Sequence, residues 1–219
     1  MEDTGMKYLR NSARSTAMGK LFLMILAVIL LLAITGCGPE AKRGGPGTDN
    51  PELDDPAMSL KLDRRDVEYL VSTNTRALSN SPLWLRAIAA SEKPPLVSIW
   101  PIYNATSQHI DDQMDALLGS IETFLVNSGE VGVVSREKQH ELIQELHYRQ
   151  SDVYDPETAG RIGRQLGAQY FVTGKISSVE ERLQDTRRVQ YSLILQVIEV
   201  ETGLIKFQKE AIRSKSIER

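Results

Sequence analysis

The sequence has little cysteine, few aromatic side chains and no excess of positive charge. Cys37 is the single cysteine among 219 residues, which excludes an intrachain disulfide. Aromatic residues make up 6% of the chain, and 26 Lys and Arg side chains face 29 Asp and Glu side chains. This charge balance argues against nucleic acid as a partner, and the composition excludes collagen, coiled-coil and wholly disordered chains.

The sequence also lacks an apolar run long enough to cross a bilayer as a helix. Its most apolar stretch covers residues 21–34, about 14 residues where roughly 20 are needed. Such a run after several basic residues is typical of a secretory signal peptide. It ends in Ile34-Thr35-Gly36-Cys37, which resembles a bacterial lipobox, where small residues precede a cysteine that is acylated before cleavage. The basic residues upstream are Lys7, Arg10, Arg14 and Lys20.

We therefore predict that residues 1–36 are a lipoprotein signal peptide and that Cys37 carries the lipid. Two or three acyl chains, at about 0.8 kcal/mol per buried methylene, make such an anchor effectively permanent. Gly38 follows the cysteine where Asp would retain a lipoprotein at the inner membrane, so the expected location is the outer membrane, facing the periplasm. The alternative is an unmodified thiol after an ordinary signal peptide.

Residues 37–59 combine glycine and proline with charge and contain few apolar side chains. Such a composition cannot offset the entropy of ordering, so we predict a flexible tether. A chain of about 22 residues has a root-mean-square span of roughly 26 Å and a taut limit of roughly 75 Å. The folded part is thus expected to stay near its membrane. The helix- and strand-breaking residues are Gly38-Pro39, Gly44-Gly45-Pro46-Gly47, Pro51 and Pro56.

Residues 60–219 carry the periodic patterns of a globular domain. Apolar residues at helical spacing predict a helix over 60–90 with Asp63 or Asp66 as N-cap and a break at Ser81-Pro82. Further helices are predicted over 109–127, from 135 to about 149, and over 157–166, the last with Gly167 as its C-terminal residue. Strands are predicted at 96–102, 131–134, 170–179, 189–200 and 204–213, the last two joined by a tight turn at Gly203.

This order predicts one α/β (α+β) sandwich domain, a mixed sheet of four to five strands flanked by about four helices. Alternating apolar residues over 189–197 predict a strand with one covered face. Pro101 predicts that the first strand lies at a sheet edge or ends there.

Chemistry-bearing motifs are almost absent. His140-Glu141 begins a zincin-like pattern, but Gln144 stands where the second histidine belongs, and His147 lies about 10.5 Å further along the helix. The glycines over 160–167 lack the preceding strand of a dinucleotide site and predict close helix–sheet packing instead. We expect no catalytic residue, metal, cofactor or small-molecule substrate, and therefore no enzyme.

Three segments resemble the LpoB family of penicillin-binding-protein activators over about residues 94–213. The segments begin with Ile102-Tyr103-Asn104-Ala105-Thr106-Ser107-Gln108-His109, Gly167-Ala168-Gln169-Tyr170-Phe171-Val172-Thr173-Gly174 and Val200-Glu201-Thr202-Gly203. The second and third segments are also similar to curli-secretion and flagellar lipoproteins. Within the first segment, Asn104, Thr106 and His109 are expected to cap the helix that follows.

The resemblance implies a non-catalytic outer-membrane lipoprotein that binds a docking domain of a bifunctional peptidoglycan synthase and activates it. The short tether departs from the longer, proline-rich tethers of enterobacterial members, which leaves the identity of the synthase open. A structural subunit of a cell-surface or secretion assembly is the alternative. Large side chains of the kinds enriched at interfaces predict the partner-binding face: Trp84, Tyr148, Arg149 and Tyr154. For Trp84 the alternative is a position in the core.

Overall fold

The computed structural model of the chain describes residues 41–44, 55–145, 156–183 and 186–218. The chain divides into two compact units, residues 1–39 and 40–219, and every described element belongs to the second. The described helices are α1 (Arg64–Ser79), the π-helical α2 (Trp84–Ile88), α3 (Asp111–Ser128), α4 (Arg136–Glu145) and α5 (Pro156–Leu166). The described strands are β1 (Ala41–Arg43), β2 (Asp55–Ala57), β3 (Leu96–Ala105), β4 (Gly132–Val133), β5 (Tyr170–Leu183), β6 (Thr186–Glu199) and β7 (Ile205–Glu218).

All seven strands form one sheet in the order β2-β1-β7-β6-β5-β3-β4. The pairs β5–β6 and β6–β7 are antiparallel over almost their whole length, whereas β3 runs parallel to β5 and β4. Gly203 has φ 70° in the β6–β7 turn, as its position in the sequence predicted. The α/β class is thus confirmed, with a sheet larger than expected.

The prediction of four to five strands was too low because residues 41–43 and 55–57 add two strands inside the segment expected to be a tether. β1 pairs antiparallel with β7, and β2 pairs antiparallel with β1. Three-residue strands that contain Lys42 or Pro56 show no alternating pattern. What fixes them is a long-range contact of Arg43, described below, which a local pattern cannot indicate.

Helix α1 begins where the sequence indicated. Asp63 is the N-cap, its carboxylate accepts a hydrogen bond from the Asp66 amide, and the Asp66 carboxylate accepts one from the Asp63 amide. Both predicted capping residues therefore take part, as the two halves of one capping box. The helix is joined to the sheet by the buried Asn74, whose amide donates to the Leu193 carbonyl of β6 at 3.1 Å.

Helices cover both faces of the sheet. The helices α1, α2 and α3 cover the face formed by the alternating residues of β6, which are all buried, as predicted. Helix α5 covers the other face near Phe171, and Gly163 permits this approach because a Cβ there would lie 2.6 Å from the Phe171 ring. The buried residues of β6 are Val189, Tyr191, Leu193, Leu195 and Val197.

Candidate functional site: the two edges of the sheet

The β3 edge of the sheet is only partly covered. β4 pairs with Leu96 and Val97, and of the described strands only β5 runs beside the rest of β3. The pairing with β5 shifts register between Ile99 and Ile102, around Pro101, whose carbonyl accepts a hydrogen bond from the Thr173 hydroxyl. Pro101 thus lies at a bulge next to the edge, which agrees with the edge or strand-end position predicted for it.

A cleft of about 670 Å³ follows this edge between α3 and α4. Helix α4 is held against β3 by a buried hydrogen bond from the Ser98 hydroxyl to the Gln139 side-chain carbonyl, 2.8 Å long. An ion pair between Arg136 and Glu122, 3.1 Å apart, joins α4 to α3. The cleft is lined by apolar and charged groups from three elements, among them Ile99, Pro101, Asp115, Leu118, Glu137 and His140.

Beyond the cleft, β3 presents an exposed aromatic side chain. Tyr103 is 44% exposed and stands in register with the exposed Lys175 of β5. A tyrosine offers a large apolar surface with one hydrogen-bonding group, and such side chains are enriched where proteins bind one another. The β3 edge, the cleft and Tyr103 together form the candidate docking face.

The three residues expected to cap α3 have a different role in this structure. Helix α3 has Ile110 as its N-cap residue, without a side-chain cap. The side-chain carbonyl of Asn104 instead accepts a hydrogen bond from the Thr106 main-chain amide at 3.0 Å. The side-chain amide of Asn104 donates to the main-chain carbonyl of Gln108. These bonds fasten the turn between β3 and α3, while His109 is exposed.

That turn is connected through Tyr191 to the chain that enters α1, on the same face of the sheet. The Gln108 side chain donates to the Tyr191 hydroxyl at 2.8 Å, and this hydroxyl donates to the Leu60 carbonyl at 2.9 Å. Burial raises the pKa of Tyr191 above its usual value, despite the hydrogen bond from Gln108. The hydroxyl is therefore a neutral link between the turn and the chain entering α1.

The residues predicted for partner binding are placed unevenly. Trp84 is 5% exposed and packs against Phe124, with ring centroids 5.7 Å apart, so it offers a partner little surface in this conformation. Tyr148, Arg149 and Tyr154 lie outside the described residues, as does the predicted lipid site Cys37. Their roles stay predictions.

The opposite edge of the sheet carries a buried ionic cluster that the sequence reasoning missed. The Arg43 side chain of β1 is 4% exposed and donates to Asp66 at 3.2 Å, to Asp63 at 2.5 Å and to the Pro56 carbonyl at 2.5 Å. Asp55 of β2 lies 3.7 Å from the same guanidinium. One arginine thus links β1, β2 and the N-terminus of α1.

Two cations of β7 complete this cluster. The fully buried Lys215 ammonium donates to Asp66 at 2.5 Å, to Asp63 at 2.9 Å and to the Lys61 carbonyl at 2.6 Å. Arg213 lies 3.7 Å from Asp66 and stacks over Tyr69, 4.5 Å from its ring centroid. The three cations balance the carboxylates of Asp55, Asp63 and Asp66, which is the condition for burying charge without a large penalty.

The cluster alters the pKa of Arg43 and of Asp63. Burial alone lowers the pKa of Arg43, but the charges of Asp63 and Asp66 outweigh it and the net pKa is raised. Burial by itself raises the pKa of Asp63. The hydrogen bond and charge of Lys215 and the charge of Arg43 outweigh burial and bring the pKa of Asp63 below its usual value. The pair of Arg43 and Asp63 is therefore ionised at neutral pH.

Sequence reasoning had one available signal for this cluster. Successive side chains of β7 alternate between the two faces of the sheet, and Lys215 lies on the face that packs against the core. A buried lysine at such a position requires an acidic partner. The acidic residues at the start of α1 were identified as caps, and their second role depends on tertiary contacts. Arg43 carried no signal because its neighbours are typical of a tether.

Other kinds of site have no support in the described part of the chain. Among its residues, no group of three or more His, Cys, Asp or Glu side chains is arranged to hold a metal ion. None of the helices described has both the length and the apolar composition needed to span a membrane.

Comparisons with known proteins identify a family. The family model described as peptidoglycan-synthase activator LpoB matches residues 66–211. Among solved structures, the chain is similar to the LpoB C-terminal domains of Salmonella enterica and Escherichia coli, with 17% and 16% identity and TM-scores of 0.48 and 0.47. These matches cover 67% of this chain and 97% and 96% of those domains.

The solution structure of E. coli LpoB is similar at 16% identity and a TM-score of 0.48, covering 80% of this chain and 79% of that protein. No curated protein matches the sequence.

Proposed function

The chain belongs to the LpoB family of peptidoglycan-synthase activators, and from this we propose that it activates a bifunctional peptidoglycan synthase from the outer membrane. In this proposal Cys37 carries the lipid anchor, and the folded domain faces the periplasm and binds a docking domain of the synthase. The protein itself contributes no catalytic residue. The observation that carries the proposal is the match of the family model to residues 66–211, which is most of the folded domain.

Activation by contact requires that the protein bind the active synthase more tightly than the inactive synthase. A ligand shifts a conformational equilibrium only by its difference in affinity for the two states. A tenfold shift toward the active state needs about 1.4 kcal/mol of such difference. One well-packed aromatic side chain at an interface supplies that amount.

We propose the β3 edge, the cleft and Tyr103 as the docking face. A strand edge accepts an extended segment of a partner through main-chain hydrogen bonds, and a groove beside it can hold the partner's side chains. Tyr103 supplies an exposed aromatic beside the edge, and Lys175 and the acidic residues of the cleft supply charge. The predicted contacts of Tyr148, Arg149 and Tyr154 remain part of the proposal, to be tested by Arg149→Ala and Tyr154→Ala in the same binding assay.

The test uses the purified mature lipoprotein in detergent with the synthase that in-cell crosslinking identifies as its partner. We expect the wild-type protein to raise glycan-chain polymerisation and Tyr103→Ala to weaken binding by about tenfold or more. Leu204→Ala, which truncates a side chain 57% exposed at the β6–β7 turn, is the matched control and should bind normally. Full activation by Tyr103→Ala would remove this face from the proposal, and absence of activation by the wild-type protein would reject the function.

The alternative role, a structural subunit of a surface or secretion assembly, makes a different prediction. A stable ring of many copies in native mass spectrometry would favour assembly, whereas a monomer that binds the synthase favours the activator. For the anchor, we expect labelled palmitate to be incorporated into the wild-type protein and not into the Cys37→Ser variant.

A further inference from the structure

We propose that β1 and β2 form a releasable clip that sets how far the folded domain reaches from its lipid anchor. The clip is defined as residues 41–44 and 55–57 together with Arg43 in its ionic cluster. The proposal rests on the lipid anchor at Cys37 given above. When the clip is closed the domain is held close to the membrane, and when it opens the full tether becomes available.

The lengths follow from where the chain is fixed. With β1 paired to β7, the chain is fixed to the sheet at Ala41, four residues after Cys37, and four residues span at most about 14 Å. With the clip open, the chain is next fixed at Leu60, whose carbonyl accepts from the Tyr191 hydroxyl. That leaves 23 residues after Cys37, with a taut limit of about 80 Å.

The clip is small enough to open without unfolding the domain. Each of its strands has three residues, and β1 meets β7 at three residue pairs. An isolated two-stranded hairpin is at best marginally stable. Beyond its ladder, the contacts that hold the clip include Arg43, the hydrogen bond from the Gly44 amide to the Ser214 carbonyl at 3.3 Å, and the hydrogen bond from the Ser216 hydroxyl to the Gly44 carbonyl at 2.6 Å.

The ionic cluster stays paired when Arg43 leaves it. Asp66 retains Lys215 at 2.5 Å and Arg213 at 3.7 Å, and Asp63 retains Lys215 at 2.9 Å. Asp55 departs with the clip and has a second cation in Arg65 at 3.3 Å. Breaking a buried pair is costly when it leaves a buried charge alone. Here each buried carboxylate keeps a cation and Arg43 regains water, so opening avoids that penalty.

Removal of Arg43 should therefore open the clip and spare the domain. The first measurement is amide hydrogen exchange on the mature chain for wild type, Arg43→Ala and the control Arg64→Ala, which truncates an arginine that is 87% exposed and paired with Glu68. We expect exchange in residues 41–44 and 55–57 to accelerate by about tenfold or more in Arg43→Ala. Exchange in β5 and β6 should match that of Arg64→Ala, whereas the β7 residues that pair with β1, Lys215 to Ile217, should also exchange faster.

Two results overturn the clip. Unchanged protection of residues 41–44 and 55–57 in Arg43→Ala would mean that Arg43 does not hold the clip. Equal loss of protection in β1 and in the central strands would mean that these residues are an inseparable part of the domain. Neither result depends on lipid or on a synthase, so either one leaves the proposed function intact.

The second measurement determines the height of the lipoprotein above a supported bilayer of phosphatidylethanolamine and phosphatidylglycerol by neutron reflectometry. Ala41→Cys with Ile217→Cys places two cysteines at paired positions of β1 and β7, within the range of Cα separations that a disulfide bridges. We expect the oxidised form to hold the protein layer close to the bilayer and Arg43→Ala to move it outward. Equal heights would overturn the reach mechanism, and failure of the wild-type protein to associate with the bilayer would instead reject the anchor.

Discussion

At one lateral edge of the sheet β1 and β2 cover β7 and bring Arg43 into a buried ionic cluster, whereas at the other edge β4 covers only the first two residues of β3. The covered edge lies next to the chain that leads to the predicted anchor, and the open edge faces a cleft between α3 and α4. The covered edge depends on charged groups that need complete pairing. The open edge depends on a neutral buried hydrogen bond, one partly exposed ion pair and a proline, which leave the surface available for contact with a partner.

The largest expected effect is at the covered edge. Asp66→Asn removes a carboxylate that Arg43, Arg213 and Lys215 share. The Asp66 side chain has no exposed surface. Two buried cations, Arg43 and Lys215, then lose one of the two carboxylates that they share, and the free energy of unfolding should fall by about 3–5 kcal/mol. Chemical denaturation of the mature chain measures this loss.

The matched control for that substitution is Glu68→Gln, which breaks the exposed pair of Glu68 with Arg64, two residues further along the same helix. Its expected cost is about 0.5 kcal/mol or less. If Asp66→Asn costs no more than this control, the cluster is not what holds the covered edge, and the contrast between the two edges fails.

A smaller effect is expected at the open edge. Ser98→Ala removes the donor to the Gln139 carbonyl in a buried position between β3 and α4. The acceptor is left unpaired, which costs about 1–3 kcal/mol. Ser120→Ala is the control, because the Ser120 hydroxyl bonds to the Ala116 carbonyl of its own helix and alanine favours helix there. A loss as large as that of Asp66→Asn would contradict the view that neutral contacts hold this edge more weakly.

The sequence predicted the central part of the fold better than its edges, for physical reasons. Strands such as β6 can be predicted because apolar and polar residues alternate along them. Gly203 and Gly167 both adopt the positive φ that their positions in the sequence suggested. Arg43 has its partners 20 and 23 residues away in the chain, so no local pattern indicates it. The sheet edges depend on such distant contacts, and they were the part that was underestimated.

The candidate docking face was only partly accessible from sequence. The motif around Asn104 was recognised, but as a helix cap, because an Asn and a Thr before a helix are typical capping residues. In the folded chain they close a turn instead, since Ile110 separates them from α3. Tyr103, inside the same motif, became a candidate only when its exposure was known.

The turn that follows the open edge gives the next effect in size. Asn104→Ala removes the acceptor of the Thr106 amide and the donor to the Gln108 carbonyl, both in a partly exposed position. The melting temperature should fall by an amount equivalent to about 1 kcal/mol, while the exposed neighbour Ser107→Ala should leave it unchanged. A melting temperature equal to that of the Ser107 variant would show that the turn is held by its other contacts, with Asn104 dispensable.

The smallest effect concerns pH and returns to the covered edge. Because the pKa of Asp63 is lowered in the folded chain, its ionised form stabilises the protein above about pH 4, and this contribution is lost as the pH falls through the folded-state pKa. Asn is also a good N-cap, so Asp63→Asn keeps the cap while removing the titration. The difference in unfolding free energy between wild type and Asp63→Asn should therefore be constant from pH 7 to about pH 5 and shrink at lower pH. Solvent screening limits the change, since a third of the Asp63 side chain is exposed. A difference that stays constant down to about pH 2 would mean that Asp63 takes no ionised part in the cluster. Lys215 would then depend on Asp66 alone for its counter-charge.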